Sequence, residues 1–245
     1  MKLYLINVSD LNYDAIQKRF LNRIKGDKRS RIHKLHVEND KMLALVSELL
    51  LYYALIQDYG FSPEELIFEE NEYGKPFLAK AQNVHFNLSH SNEWAACYIS
   101  NSSVGVDIEQ IEDINKKLFN DITHDSERAK LSNNKENFFS IWCLKESYIK
   151  FVGQGLYLNI QDLSFDLNRK QNIKLSFNNQ VITNHFLLLD IIANYKVAVC
   201  CKNITEPDIE LVTYQNIKNH LLKCCKPAAP IGCFYTTFVL INIIF

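Results

Sequence analysis

The spacing of apolar residues along this chain switches several times between helical and alternating, and each switch marks an element. Residues 3–8 form a short apolar run suited to a first strand, and residues 11–24 carry a helical pattern that Asp10 or Asn12 can cap. The clearest helix spans Glu38–Tyr59. There Met42, Leu45, Val46, Leu49, Leu50, Tyr53 and Ile56 recur at helical spacing, and Gly60 stops it. A loop holding Gly74-Lys75-Pro76 leads into three strand-like runs at 84–88, 94–99 and 104–108. The polar stretch 112–137 predicts helix or loop, and a helix follows over 138–151, ended by Gly153 and Gly155. Further strand-like runs lie at 163–167, 173–177, 186–192 and 196–201.

A faint internal echo links the halves. Trp94-Ala95-Ala96-Cys97-Tyr98 and Tyr195-Lys196-Val197-Ala198-Val199-Cys200 share the rhythm of a short strand after a polar turn. Each half then reads as helix plus antiparallel strands, so the expected class is α+β with a duplicated unit.

Composition narrows the field. The 245 residues are 47% hydrophobic, ample for a packed core in one large domain or two small ones. A formal net charge of −1 gives no general attraction to nucleic acid, and no such partner is expected. Basic residues do cluster at Lys25, Lys28, Arg29, Arg31, His33, Lys34 and His36, a pattern that is usually a solvated face. The seven cysteines contain no CxxC pair and sit in apolar runs, as reduced thiols of a cytoplasmic protein would. The N-terminal run is too short for a signal peptide. After Lys226 the chain becomes almost wholly apolar, but the 13 residues 233–245 are too few to cross a bilayer as a helix, and no membrane span is expected.

Two acidic words carry the candidate chemistry. In Val104-Gly105-Val106-Asp107-Ile108-Glu109, strand alternation puts Asp107 and Glu109 on one face and Val106 and Ile108 on the other. In Trp142-Cys143-Leu144-Lys145-Glu146-Ser147-Tyr148-Ile149-Lys150, helical spacing sets Glu146 and Lys150 on one stripe. Packed together, the two would bring three carboxylates and an ammonium to one point, a donor set suited to Mg²⁺ shared with a phosphate. Each word also has an ordinary reading: a D-x-E pair at a solvated edge, and a Glu–Lys surface pair on a helix. Ser89 and His90 are adjacent on a strand and face opposite ways, which argues against a nucleophile–base couple and leaves both as possible phosphate donors. Gly74-Lys75-Pro76 reads as a turn able to hold one cation near an anion. Neither a GxxxxGK[ST] loop nor a GxGxxG occurs.

Taken in order, Glu72-Tyr73-Gly74-Lys75-Pro76, His85-Phe86-Asn87-Leu88-Ser89-His90-Ser91, Gly105-Val106-Asp107-Ile108-Glu109, the word 142–150 and Gly153-Gln154-Gly155-Leu156 resemble the 4′-phosphopantetheinyl transferases, specifically the longer, two-lobed surfactin-synthetase-activating type. The resemblance runs from Met1 to about Tyr214. It implies a pseudo-twofold pair of α+β lobes, here 1–110 and 111–222, with the active site between them and 223–245 as an apolar tail of unknown role. It implies transfer of the 4′-phosphopantetheine arm of coenzyme A to a serine of an acyl- or peptidyl-carrier protein, as in nonribosomal peptide and antibiotic biosynthesis, with release of 3′,5′-ADP. It places Mg²⁺ on Asp107, Glu109 and Glu146, makes Glu146 the candidate base and puts Lys150 on the pyrophosphate. Lys75, Ser89 and His90 are expected on the coenzyme's phosphates, and Lys28 and Arg31 near its 3′-phosphate. The carrier is expected near 112–135 and the helix at 138, and the protein as a monomer. Two positions depart from the family: Leu43-Ala44 stands where an Arg is usual, and Glu127 matches the family's acidic residue in a loosely fitting segment. The alternatives are a Mg²⁺-dependent phosphodiesterase and a non-catalytic coenzyme A- or carrier-binding module.

Overall fold

The computed structural model describes residues 1–24, 26–131, 134–167, 173–178, 180–203 and 206–224. The tail expected at 223–245 lies outside these residues from Cys225 onward, as does Lys25 of the basic cluster. The chain opens with strand β1 (Lys2–Asn7), helix α1 (Tyr13–Phe20), helix α2 (Gly26–Lys34) and the long helix α3 (Glu38–Tyr59). Asn12 caps α1 by accepting the Ala15 amide at 2.9 Å, and Gly60 ends α3 in the left-handed region with φ of 69°. A hairpin of β2 (Phe68–Glu70) and β3 (Pro76–Leu78) follows, then β4 (His85–Ser91) and β5 (Trp94–Ser100).

The second half contains β6 (Val104–Gln110), α4 (Lys116–Ile122), α5 (Asp125–Leu131) and the long helix α6 (Lys135–Val152). A three-stranded antiparallel layer, β7 (Leu163–Asp166), β8 (Lys174–Phe177) and β9 (Gln180–Ile182), precedes β10 (His185–Leu189) and β11 (Tyr195–Cys201). The chain then returns to the first half as β12 (Asp208–Leu211) and α7 (Tyr214–Cys224).

Each half is one long helix on a sheet. In the first, α3 covers the sheet ordered β12-β1-β5-β4; in the second, α6 covers β10-β11-β6. The expected pair of α+β lobes is present, but the expected chain boundaries cross the sheets. Strand β6, within 1–110, pairs antiparallel with β11, and β12, within 111–222, pairs parallel with β1. The reason is alternation. In β1, Tyr4 and Ile6 face the first helix while Leu3 and Leu5 face the other way, onto Val104, Val106 and Ile108 of β6 and Val197 and Val199 of β11. The two sheets therefore share a buried apolar layer.

A polar seam completes the junction. The amides of Val106 and Gln110 on β6 donate to Asn87 Oδ1 (2.8 Å) and Ser91 Oγ (3.1 Å), and that of Ile108 reaches Ser89 Oγ at 3.4 Å. Three side chains two residues apart on β4 thus satisfy an edge that no strand covers. Helix α3 is the one described helix long and apolar enough to cross a membrane, and 72% of its apolar window is buried in the protein.

Candidate active site

The seam on β4 leads directly to Asp107. Ser89 Oγ donates to Asp107 Oδ1 at 2.8 Å, and Lys150 Nζ donates to the same oxygen at 2.6 Å and to Ser89 Oγ at 2.8 Å. Next along, Ser91 Oγ donates to Glu109 Oε2 at 3.3 Å. Strand β6 can lie this close to α6 because residue 105 is glycine. A Cβ there would sit 1.9 Å from the Ser147 carbonyl and 2.6 Å from the Phe151 nitrogen. Glycine is needed for the contact, not for its backbone angles.

Asp107, Glu109, Glu146 and Lys150 line one cavity of about 480 Å³, with Lys28, Arg31 and His90 also on its wall. A second cavity of about 600 Å³ opens on the other side of Glu146 and Lys150, lined by Ile149, Leu156, Leu158 and Ile160, with Asp121 and Ile122 of α4. The first cavity carries more charged side chains and the second more large apolar ones, and Glu146 and Lys150 line both.

Electrostatics inside the charged half are those of an acidic cluster short of cations. Burial first, then the nearby Asp107, raises the Glu109 carboxyl to about 8. Glu146 is raised for the same two reasons. Burial opposes the charge on Lys150, but Asp107, Glu146 and Glu109 outweigh it and hold its ammonium protonated. Asp107 is 2% exposed, and its Oδ2 has no hydrogen-bond partner among the described residues. A buried carboxylate oxygen facing nothing is costly, and a bound cation would relieve it. Among the described residues no three metal-ligating side chains are already gathered into a cage. The unpartnered oxygen, the mutual repulsion and the hard oxygen donors nonetheless suit Mg²⁺.

Other expected residues take different places. Ser89 was expected on a phosphate; it lines the charged cavity, and its one donor and both acceptor positions serve Asp107, Lys150 and the Ile108 amide. Lys75 was expected there too, but its ammonium donates to the carbonyls of Lys150 (2.5 Å), Phe151 (3.1 Å) and Val104 (3.2 Å). All three of its donors are taken. His90 is exposed at the cavity wall, its imidazole pKa lowered by desolvation and then by Lys150. Lys28 pairs with Glu48 at 2.6 Å and Arg31 with Glu70 at 2.8 Å. Ala44 lines the charged cavity, while Leu43 is buried in the core.

Glu127 does not line either cavity. It accepts from Lys145 Nζ (2.7 Å) and from the amides of His124 (2.9 Å) and Phe165 (2.7 Å), a buried, fully bonded carboxylate that ties α5 to α6 and β7. The seam residues Asn87 and Ser91 went unread in the sequence. Their signal was the recurrence of small polar side chains at every second position, Asn87, Ser89 and Ser91, along β4.

A family model described as the 4′-phosphopantetheinyl transferase superfamily matches residues 103–200, and one described as 4′-phosphopantetheinyl transferase, N-terminal, matches 14–101. The transferase gsp of Aneurinibacillus migulanus is 41% identical over 139 residues, 55% of this chain and 58% of that protein. The transferase Sfp of Bacillus subtilis strain 168 is 26% identical over 223 residues, 89% of this chain and 100% of its own. The transferase psf-1 of Bacillus pumilus is 25% identical over 231 residues, 90% of this chain and 99% of its own.

Proposed function

This chain belongs to the 4′-phosphopantetheinyl transferase superfamily, and from that premise we propose that its cleft transfers the 4′-phosphopantetheine arm of coenzyme A to a carrier-protein serine. The observation that carries the reading is the buried Asp107 oxygen without a partner, beside two carboxyls of raised pKa and a protonated lysine. Asp107, Glu109 and Glu146 would hold Mg²⁺, which when bound would neutralise the charge that grows on the 5′-phosphate of the leaving 3′,5′-ADP.

The chain's own groups divide the remaining work. Glu146 lines both the charged and the apolar cavity, so an acceptor hydroxyl arriving from the apolar side can meet it. Burial and the nearby Asp107 raise its carboxyl above the ordinary value, and its carboxylate is the candidate acceptor of the serine proton. The serine oxygen forms its bond to the phosphorus that bears the pantetheine arm, the phosphoanhydride bond breaks, and 3′,5′-ADP leaves with the electron pair. Lys150 stays protonated and balances the pyrophosphate charge; Asp107 and Ser89 hold it in place. His90, Lys28 and Arg31 line the charged cavity as contacts for the coenzyme's phosphates, with Lys28 and Arg31 toward the 3′-phosphate.

The carrier docks near α4 and the start of α6, because Asp121 and Ile122 line the apolar cavity into which its serine must reach. Acyl and peptidyl carriers both present such a serine. Four buried free thiols, Cys97, Cys143, Cys200 and Cys201, suit a reducing cytoplasm, and two lobes that already share a core suit a monomer. Nucleotide release, measured with and without an apo carrier domain, tests the reading. Transfer predicts 3′,5′-ADP only when the carrier is present. Release without carrier would make the protein a phosphodiesterase, and coenzyme A binding without release would make it a binding module.

A further inference from the structure

Helix α6 carries both Glu146 and Lys150, and its C-terminal turn ends at the interface with the first lobe. The last four carbonyls of any helix lack partners inside it. Here Gly153, left-handed with φ of 77°, returns its amide to the Ile149 carbonyl at 2.8 Å. The next two carbonyls, those of Lys150 and Phe151, are met by the Lys75 ammonium from the other lobe, and the Gly153 carbonyl accepts from Asn71 Nδ2 at 3.0 Å. Asn71 also accepts the amides of Tyr73 (3.0 Å) and Lys75 (2.8 Å) through Oδ1, which fixes the turn that presents the lysine. A Cβ on Gly153 would lie 2.6 Å from Lys75 Cδ, so the stem of the lysine packs onto the glycine itself.

We propose that the turn 71–75 is the C-terminal cap of α6, supplied by the opposite lobe, and that Lys75 is a positioning residue for Lys150 rather than a contact for coenzyme A. The proposal rests on the transferase reading of the cleft. Counting decides it. An ammonium has three donors, and three carbonyls take them, one at the start of β6 and two at the end of α6. A positive charge at a helix C-terminus is also favoured by the helix dipole. Lys75 is absent from the wall of the charged cavity; it lines the apolar one and a smaller cavity beside Asn71 and Phe151. The same ammonium therefore joins the strand that bears Asp107 to the helix that bears Lys150.

The test uses the full chain and the variant Lys75→Met, which keeps the stem and removes the ammonium. Displacing Lys150 by even an ångström costs reaction rate far more than ground-state binding, so kcat falls about 10–100-fold. The Kd for coenzyme A by calorimetry weakens by no more than about threefold, because Lys150 is shifted on the pyrophosphate and not removed from it. Hydrogen exchange quickens at the amides of Phe151, Val152 and Gly153 and not in α3. A Kd weakened about tenfold or more, with exchange at α6 unchanged, overturns the proposal and returns Lys75 to the phosphates. If Lys75→Met loses protection throughout, Asn71→Ala decides: faster exchange confined to the end of α6 supports the cap, and unchanged exchange there overturns it. Exchange and Kd need no turnover, so a wild-type protein that transfers nothing would refute the transferase reading and leave the cap to be judged by these two measurements.

Discussion

At the scale of single residues, closeness and charge decide what this cleft can do. Gly105→Ala places a methyl group into the backbone of α6, where nothing flexible can yield. We expect a loss of about 3 kcal/mol in urea unfolding and loss of transfer; a melt within error of wild type would contradict the contact. Glu109 gives a pH signature in the metal-free protein. Its carboxyl is raised to about 8 from 4.5, so between these values the folded state holds a proton that the unfolded state has released. Its contribution to stability is complete below pH 4.5 and is lost as pH rises through 8. In chelator, the Tm of wild type should fall relative to Glu109→Gln between pH 5 and 8.5, and added Mg²⁺ should restore more at 8.5 than at 5. Parallel curves would remove Glu109 from the cluster. The face shared by Asp107 and Glu109 was legible from strand alternation. The saturation of Ser89 and Lys75 was not, because it depends on which elements meet, and spacing within one element does not encode that.

Elements show what the polar residues of β4 and of the turn before β3 hold together. The alternation Asn87, Ser89, Ser91 lies along β4 and covers the open edge of β6, and the turn between β2 and β3 closes the end of α6. Ser89→Ala leaves Asp107 Oδ1 and the Ile108 amide short of partners, so unfolding should cost about 1–3 kcal/mol less. Coenzyme A affinity should change little. A loss of affinity with unchanged stability would restore Ser89 to the phosphates. Helix α2 places Lys28 and Arg31 on the charged cavity, so changing both to Ala should weaken coenzyme A more than dephospho-coenzyme A; equal losses would refute the 3′-phosphate assignment. The long helices α3 and α6 were plain in the sequence, since each has a broad apolar face and a glycine stop. Strand β12 was missed because it is short and Ile209 and Leu211 face outward. Helix α7 was missed although Ile217 and Leu221 are buried four residues apart.

For the whole molecule, the two lobes are structurally inseparable. Leu3, Leu5, Ala96 and Tyr98 of one sheet are buried against Val104, Val106, Val197 and Val199 of the other, and β12 with α7 completes the first sheet from the far end of the chain. A fragment of residues 1–110 lacks both covers, so it should show no cooperative melt, while the full chain should melt in one calorimetric transition. Two resolved transitions would contradict the shared core. The echo between the halves pointed to paired lobes, but pattern within each half could not reveal the exchange of strands between them. The central claim is that the carboxylates lining the charged cavity serve carrier modification with Mg²⁺. Its most direct test is the intact mass of an apo carrier domain after incubation with coenzyme A and Mg²⁺. The expected result is a gain of one phosphopantetheine arm with the wild-type chain and no gain with Asp107→Ala or Glu146→Ala. An unmodified carrier across several acyl and peptidyl carriers, or full modification by both variants, would contradict it.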